Sequence, residues 1–453
     1  MAISNKKEIL IVGAGLVGPI LSLFLSKRNY SCTIIEGRND MRLEKVPDGR
    51  SINLAISERG LYALNQVGIK ESILKEALPL KGRLIHNVND KTFFQEYGQN
   101  KNEVIYSISR SKLNNFLLSS SEKTGKVKIF FNEKCLDADL IAGNVKHKNK
   151  LTGKISLTSS SHIIATDGSR SLIRKKMEEI NGFNQKVEVL DHGYKELIIP
   201  PNSNGDFMLD PNMLHIWPRK KYMLIALPNY DRSFTCTLFL PMKGPLSFES
   251  LKSSEDFSNF IITFFPDLVP YLKDFNKQFF IKPTGNLYTI KCQPWNVKDQ
   301  FLLLGDAAHT IAPFFGQGIN AAFEDCTILD ELLEKFDNQW EKVFSRFSQN
   351  RKADMDAISE MALENYFEMR NKTTDPKFMI KKEVEFYLEQ NFPNQFVPRY
   401  SMVSFNRIPY SICQKRGKIQ EKILDKLCSN IKSASEINLN IAKNLINANL
   451  DQI

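Results

Sequence analysis

Three absences shape the reading of this 453-residue chain. Its seven cysteines, Cys32, Cys135, Cys236, Cys292, Cys326, Cys413 and Cys428, include no C-x-x-C pair. An odd number at wide spacing argues against a disulfide framework and a zinc ribbon, and suits a reducing compartment. No run approaches the ~18 continuous apolar residues of a spanning helix, and no signal peptide precedes the first apolar segment. No long stripe of one charge is present either. Lys and Arg number 61 against 51 Asp and Glu, a net charge of +10, but the basic residues are scattered in short clusters such as Arg219-Lys220-Lys221 and Lys381-Lys382. That pattern reads as solvated surface with some attraction for anionic ligands, and no nucleic-acid partner is expected. His192 and His215 lack metal-ligand spacing, so no metal site is expected. What remains is an ordinary globular composition, 42% hydrophobic and 25% charged.

The N-terminal segment carries the first positive signal. Glu8 to Val12 is a short β-branched run ending at Gly13, the look of a buried parallel strand. A helical pattern follows from Leu21 to Leu25, with Pro19 near its start, and Thr33 to Ile35 reads as a second strand. Strand, helix and strand in this order predict a βαβ unit. From about Asp191 to Phe280, apolar runs such as Tyr222–Leu227 and Phe234–Leu240 alternate with Pro, Asn, Asp and Gly, which predicts an antiparallel sheet. Phe301 to Leu304 is another buried strand. After Gln339 the chain reads as helical to its end, including the spacing Ile423, Leu427, Ile431, Ile437, Ile441, Leu445.

Gly13-Ala14-Gly15-Leu16-Val17-Gly18 sits at the strand-to-helix turn. Gly13 permits the tight turn, Gly15 lets a pyrophosphate approach the backbone, and Gly18 lets helix and strand pack closely. The helix N-terminus adds free N–H groups and a positive dipole end. Glu36, after Ile35, can accept hydrogen bonds from ribose hydroxyls. Two further segments bear on which dinucleotide binds. In one, a strand ends at Gly305-Asp306-Ala307-Ala308-His309, placing a carboxylate beside a turn where a flavin ribityl chain could lie; His309 itself reads as structural. The other is Asp167-Gly168-Ser169-Arg170, after the strand at His162 to Ala165.

With the glycine motif, these segments resemble the single-component flavin aromatic hydroxylases of the p-hydroxybenzoate hydroxylase type, over most of the first 345 residues. In that group FAD stays bound and NADPH visits without its own Rossmann domain, which fits a chain with one glycine motif. Six segments are more specifically similar to the kynurenine 3-monooxygenase family: residues 49–60, Lys81–His86, His192–Leu197, Pro313–Cys326, Glu364–Arg370 and Tyr400–Phe405.

The resemblance implies a mixed α/β fold: a Rossmann-like FAD-binding domain (residues 1–75, 100–185 and 283–345), an antiparallel β-sheet substrate domain (76–99 and 186–282) and a C-terminal helical region (346–453). It implies that Arg83 grips the carboxylate of L-kynurenine with Tyr97, while Asn365 and Tyr400 line the pocket. It places Val17, Glu36, Arg38, Ala55, Arg110, Asp167, Asp306, Ile319 and Asn320 against FAD. Ile35, Gly37 and Gly318 adjoin these positions, and Cys135 matches by position through its backbone.

The implied reaction converts L-kynurenine, NADPH and O2 to 3-hydroxykynurenine, NADP and water. It belongs to tryptophan degradation towards quinolinate and NAD synthesis. The ring amino group feeds electron density to its ortho carbon, so no catalytic side chain is assigned. The loop Pro313-Phe314-Phe315-Gly316-Gln317 is expected to shield the flavin from water. Eukaryotic members carry a C-terminal membrane anchor. Here the matching tail from Ser429 is broken by Asn, Lys, Glu and Asp, so no membrane span and a cytoplasmic enzyme are expected. Two other readings compete: a flavin hydroxylase of another small aromatic, and a flavin-fold binding protein with little turnover. The sequence leaves the oligomeric state open.

Overall fold

The computed structural model describes residues 8–43, 53–88, 92–371 and 375–453. Residues 49–52, which open one of the matched segments, lie outside this set. The chain forms two compact units. The first contains residues 1–77, 108–189 and 288–359, and the second 78–107, 190–287 and 360–453. Of the stretch expected as a C-terminal helical region, residues 346–359 belong to the first unit and 360–453 group with the sheet of the second.

The first unit is built on a six-stranded sheet, ordered Asn296–Val297, Phe301–Leu303, His162–Ala165, Glu8–Val12, Ser31–Ile35 and Val127–Phe130. All neighbours are parallel except the short edge strand Asn296–Val297. The central strands read as continuous apolar runs because they are covered on both faces: Ile9, Ile11, Ile163, Ile164, Phe301 and Leu302 are fully buried. The helix Val17–Lys27 links Glu8–Val12 to Ser31–Ile35 and completes the expected βαβ unit. A separate sheet of Glu133–Asp139, Asn144–Asn149 and Ile155–Ser159 belongs to the same unit.

In the second unit, the strand segment 190–199 pairs with Phe234–Pro241, which pairs with Tyr222–Pro228, which pairs with Met213–Arg219, all antiparallel. Met213–Arg219 then runs parallel to Gly82–His86, and Thr92–Glu96 closes the edge antiparallel to it. The sheet is therefore mixed at the edge that carries Arg83.

Two expectations are corrected here. The sheet does not continue to Phe280. Residues Ser254–Phe264 and Leu272–Ile281 are helices, the first started by a capping box in which Ser253 and Asp256 exchange side-chain and backbone bonds. Phe257, Phe260 and Ile261 recur at helical spacing and are buried, so the face they form outweighs their strand propensity. The C-terminal tail, read as helical to its end, is likewise interrupted as α-helix between Leu427 and Leu439. Tyr410–Leu427 ends before a turn, and Leu439–Asn449 restarts with the Asn438 side chain accepting from the N–H groups of Asn440 and Ile441. Ile431 and Ile437 still pack into the cluster of Val384, Leu388, Ile423 and Ile446, so their apolar spacing reports burial and not continuous helix.

Candidate functional site

In the first unit the glycine turn has the shape its sequence predicts. Gly13 has φ +108°, and a Cβ there would lie 2.7 Å from the Thr166 carbonyl oxygen. A Cβ on Gly18 would lie 2.1 Å from the Gly13 carbonyl oxygen, far inside van der Waals contact. Beyond its own chain neighbours, no atom of the described residues lies within 4 Å of the same position on Gly15, so the glycine leaves open space where a pyrophosphate would approach. The following helix starts at Val17 with no side-chain cap from Leu16, so the N-cap side chain does not compete with an anion for its first N–H groups.

Glu36 closes this turn. Its Oε2 accepts from the Ala14 N–H (2.8 Å) and Arg38 Nη2 (3.1 Å), and its Oε1 accepts from the Arg38 N–H (2.8 Å) and Nε (2.9 Å). Burial works against its charge, but Arg38 and the two backbone N–H groups outweigh burial and hold the carboxyl below its ordinary range. Ile35 contributes through its carbonyl, which accepts from the Gly13 N–H at 2.8 Å. Gly37 packs against the backbone of Lys134, 3.6 Å from where its Cβ would be.

Two more carboxylates belong to this unit. Asp167 Oδ2 accepts from the Leu172 N–H (2.9 Å), while its Oδ1 is buried with no partner among the described residues. Burial raises the Asp167 pKa. The Asp306 pKa is also raised by burial, against the opposing influence of His309, Arg110 and Arg174. Cys135 is half-buried; burial, then the nearby Asp167 and Asp137 charges, push its thiol up to about 12, so it serves as no nucleophile. An orphaned buried carboxylate oxygen, an open glycine cradle and an uncapped helix start are what a bound dinucleotide would satisfy, so these residues fit FAD.

The loop Pro313–Phe315 is a short 3-10 turn ended by Gly316 at φ +65°. Phe314 and Phe315 are buried, whereas Pro313 is exposed. The helix Gly318–Lys335 follows, again without a side-chain cap at Gln317, whose amide instead reaches the Ser57 hydroxyl at 3.3 Å. Ile319 lies in its first turn. The Asn320 side chain is fully engaged: Oδ1 accepts from the Ser57 N–H (2.9 Å), and Nδ2 donates to the carbonyls of Ala55 (2.9 Å) and Gly316 (2.8 Å). Its side chain thus ties Ala55, in the strand Asn53–Ile56, to the phenylalanine loop, which leaves its backbone for any ligand.

The second unit brings together three of the four expected substrate residues. Gly82 pairs with Glu96 across the antiparallel edge, so Arg83 stands opposite Gln95 and diagonal to Tyr97 on one face. The helix Arg399–Ser404 supplies Tyr400. The Tyr97 and Tyr400 rings stack at 5.0 Å with 9° between planes, and the Arg83 guanidinium carbon lies 4.9 Å from the Tyr400 ring centre and 5.7 Å from that of Tyr97. Arg83 and Tyr97 are 5% and 4% exposed, yet Arg83 Nε and the Tyr97 hydroxyl have no hydrogen-bond partner among the described residues. Burial opposes the Arg83 charge, but Tyr400, Tyr97 and Glu368 favour it and its pKa is raised. Burial pushes the Tyr97 phenol well up, with Tyr400 adding to this and Arg83 opposing it.

Asn365 is buried on the helix Trp340–Asn371. Glu368, one helical turn further, was not singled out from the sequence, although its i, i+3 spacing from Asn365 was there to be read. It lies 3.8 Å from Arg399 and 3.9 Å from Lys382, and it is the carboxylate that favours the Arg83 charge.

Comparison with known proteins agrees with this geometry. A profile described as an FAD binding domain matches residues 6–217 and 286–357. Among solved structures, the tetrameric form of 2-methyl-3-hydroxypyridine-5-carboxylic acid oxygenase superposes with a TM-score of 0.67 at 18% identity, covering 84% of this chain and 97% of that one, a likeness of fold. A kynurenine 3-monooxygenase of Myxococcus xanthus is 44% identical over 450 residues, covering 99% of this chain and 97% of that protein. One of Dictyostelium discoideum is 41% identical over 439 residues, covering 94% of each. With an uncapped dinucleotide turn in one unit, a buried arginine in the other and similarity along nearly its whole length, the chain belongs to the kynurenine 3-monooxygenase family.

Proposed function

We propose that this protein hydroxylates L-kynurenine at the 3-position, consuming NADPH and O2 and releasing 3-hydroxykynurenine, NADP and water. The observation that carries the reading is the buried guanidinium of Arg83, which has no carboxylate within ion-pair distance among the described residues and an unpartnered Nε. Buried arginines are nearly always paired, and an amino-acid carboxylate supplies the missing partner in bidentate form. Tyr97, whose buried hydroxyl has no well-aligned hydrogen-bond partner among the described residues, donates to the same carboxylate. Tyr400 holds the guanidinium from its face, worth about 1–2 kcal/mol when desolvated. Glu368 offers the negative charge that an α-ammonium group requires, and Asn365 contributes a buried amide.

FAD, held by Gly13, Gly15, Gly18, Glu36, Asp167 and Asp306, supplies the oxygen activation when it is bound. The protein contributes order and dryness. Phe314 and Phe315, buried beside the start of the helix Gly318–Lys335, exclude water. That helix start, which the Gln317 side chain does not cap, favours negative charge developing near it. No protein base is needed, since the substrate's own amino group activates the carbon that is oxidised. A cytoplasmic location accords with seven free thiols. Among the described residues, no helix is long and apolar enough to cross a membrane.

The test is to load the purified protein with FAD and follow NADPH oxidation with L-kynurenine and, separately, p-hydroxybenzoate. Stimulation by kynurenine, with a product one oxygen atom heavier, supports the reading. Stimulation by p-hydroxybenzoate alone would transfer the protein to another aromatic hydroxylase. No stimulation by either would leave a flavin-binding protein without this activity.

A further inference from the structure

The turn that presents Asp306 is held in an unusual way. Gly305–Ala307 is a single 3-10 turn between the strand Phe301–Leu303 and the two-residue strand His309–Thr310. Both of its ends reach one atom. Asp325 Oδ2, on the helix Gly318–Lys335, accepts from the Gly305 N–H at 3.2 Å and from His309 Nε2 at 2.6 Å. The other oxygen, Oδ1, accepts from Arg351 Nε at 2.9 Å. Asp325 is fully buried, and His309 and Arg351 are 4% and 2% exposed. His309 Nδ1 has no partner among the described residues, whereas Nε2 faces the carboxylate. Inside the turn, the Ala308 N–H donates to the Gly305 carbonyl and the Thr310 hydroxyl to the Asp306 carbonyl. Gly305, at φ +63°, lies against Val17 at the start of the nucleotide helix: its Cβ position would be 3.2 Å from Val17 Cγ2.

We propose that Asp325 and His309 form a clasp that presets the Asp306 turn for FAD, making His309 a positioning residue for cofactor binding. The inference rests on the FAD reading above. A turn of three residues has little stiffness of its own, and ordering it at the moment of binding would weaken affinity by the entropy of fixing its backbone. One buried carboxylate oxygen that receives both flanks removes that freedom beforehand. The charge is sustained by Arg351 on the far oxygen, so the clasp holds without a ligand.

The experiment uses the full chain freed of FAD and retitrated with it, in wild type and in H309Q, H309N and H309L. Glutamine can place an amide N–H near the position of Nε2, asparagine is too short, and leucine has no donor. The expected order of FAD dissociation constants is wild type, then H309Q within about threefold, then H309N and H309L at least about tenfold weaker. Circular dichroism of each apoprotein checks that the chain is folded. In FAD-saturated enzyme, the kynurenine KM is expected to stay at the wild-type value, since Arg83 and Tyr97 are untouched. Folded H309L that binds FAD within twofold of wild type overturns the clasp, as does H309Q no tighter than H309N. If H309L does not fold, the H309Q and H309N pair decides alone. Wild-type protein that takes up no FAD overturns the cofactor reading itself, a result distinct from either.

Discussion

The two units hold their principal charged groups in opposite states. Glu36 in the first is saturated, with four hydrogen bonds from Ala14 and Arg38. Arg83 in the second is equally buried but has no carboxylate within reach among the described residues, and its Nε is unpartnered. The difference shows what each ligand must bring. On the proposed reading a dinucleotide would enter a turn whose shape the backbone already fixes, and would compete for an acceptor that is already in use. On the proposed reading an amino acid would complete an ion pair that the protein leaves half-made, so substrate affinity should depend on one charge far more than cofactor affinity depends on any single side chain.

The contrast breaks most directly at Arg83. In R83A the kynurenine dissociation constant should rise about 100-fold, the loss expected for a charge-assisted bidentate bond, while FAD binding stays at the wild-type level. Substrate titration of the FAD-loaded protein measures it, and a constant near wild type would remove Arg83 from the pocket. Next comes Gly15. Because no atom of the described residues beyond its own turn lies within 4 Å of its Cβ position, G15A should leave the apoprotein melting temperature within about 2 °C of wild type yet weaken FAD at least about tenfold, by filling space where the pyrophosphate is expected. A large fall in apoprotein stability would show instead that the cradle is a packing feature.

Tyr97→Phe sharpens the comparison within the second unit. It keeps the stacked ring and removes only the unpartnered hydroxyl, so kynurenine binding should weaken about five- to tenfold, roughly 1 kcal/mol. An unchanged constant would mean that the hydroxyl meets no ligand.

The smallest effect concerns Glu389 on the helix Pro376–Asn391, whose Oε2 accepts from the Gln99 amide at 2.6 Å, two residues beyond Tyr97. Burial raises its pKa to about 7; Glu103 and Glu385 add to this, and Gln99 opposes it. The folded chain therefore keeps a proton that the unfolded chain gives up from about 4.5 upward. This contribution is complete below pH 4.5 and is lost as pH rises through 7. E389Q should remove it, so wild type should lose about 1 kcal/mol more stability than the variant between pH 5 and pH 8, after allowance for solvent screening. Parallel stability–pH curves for the two proteins would refute this.

The chain's local patterns carried the geometry of the glycine turn almost completely. Gly13, Gly15, Gly18 and Glu36 belong to one βαβ unit, where strand and helix periods and a short turn place each group through nearby backbone. The same local rules misread residues 254–281, because phenylalanine-rich runs suit a strand or a buried helix equally until the partner surface is known. Tertiary structure alone decided that Arg38 saturates Glu36 and that the Asn320 side chain is spent on Ser57, Ala55 and Gly316. It also decided that Glu368 influences Arg83 and that one oxygen of Asp325 receives both ends of the Asp306 turn. These are contacts between distant parts of the chain, or choices among side-chain partners, and residue spacing carries no information about which donor reaches which acceptor once the elements have packed.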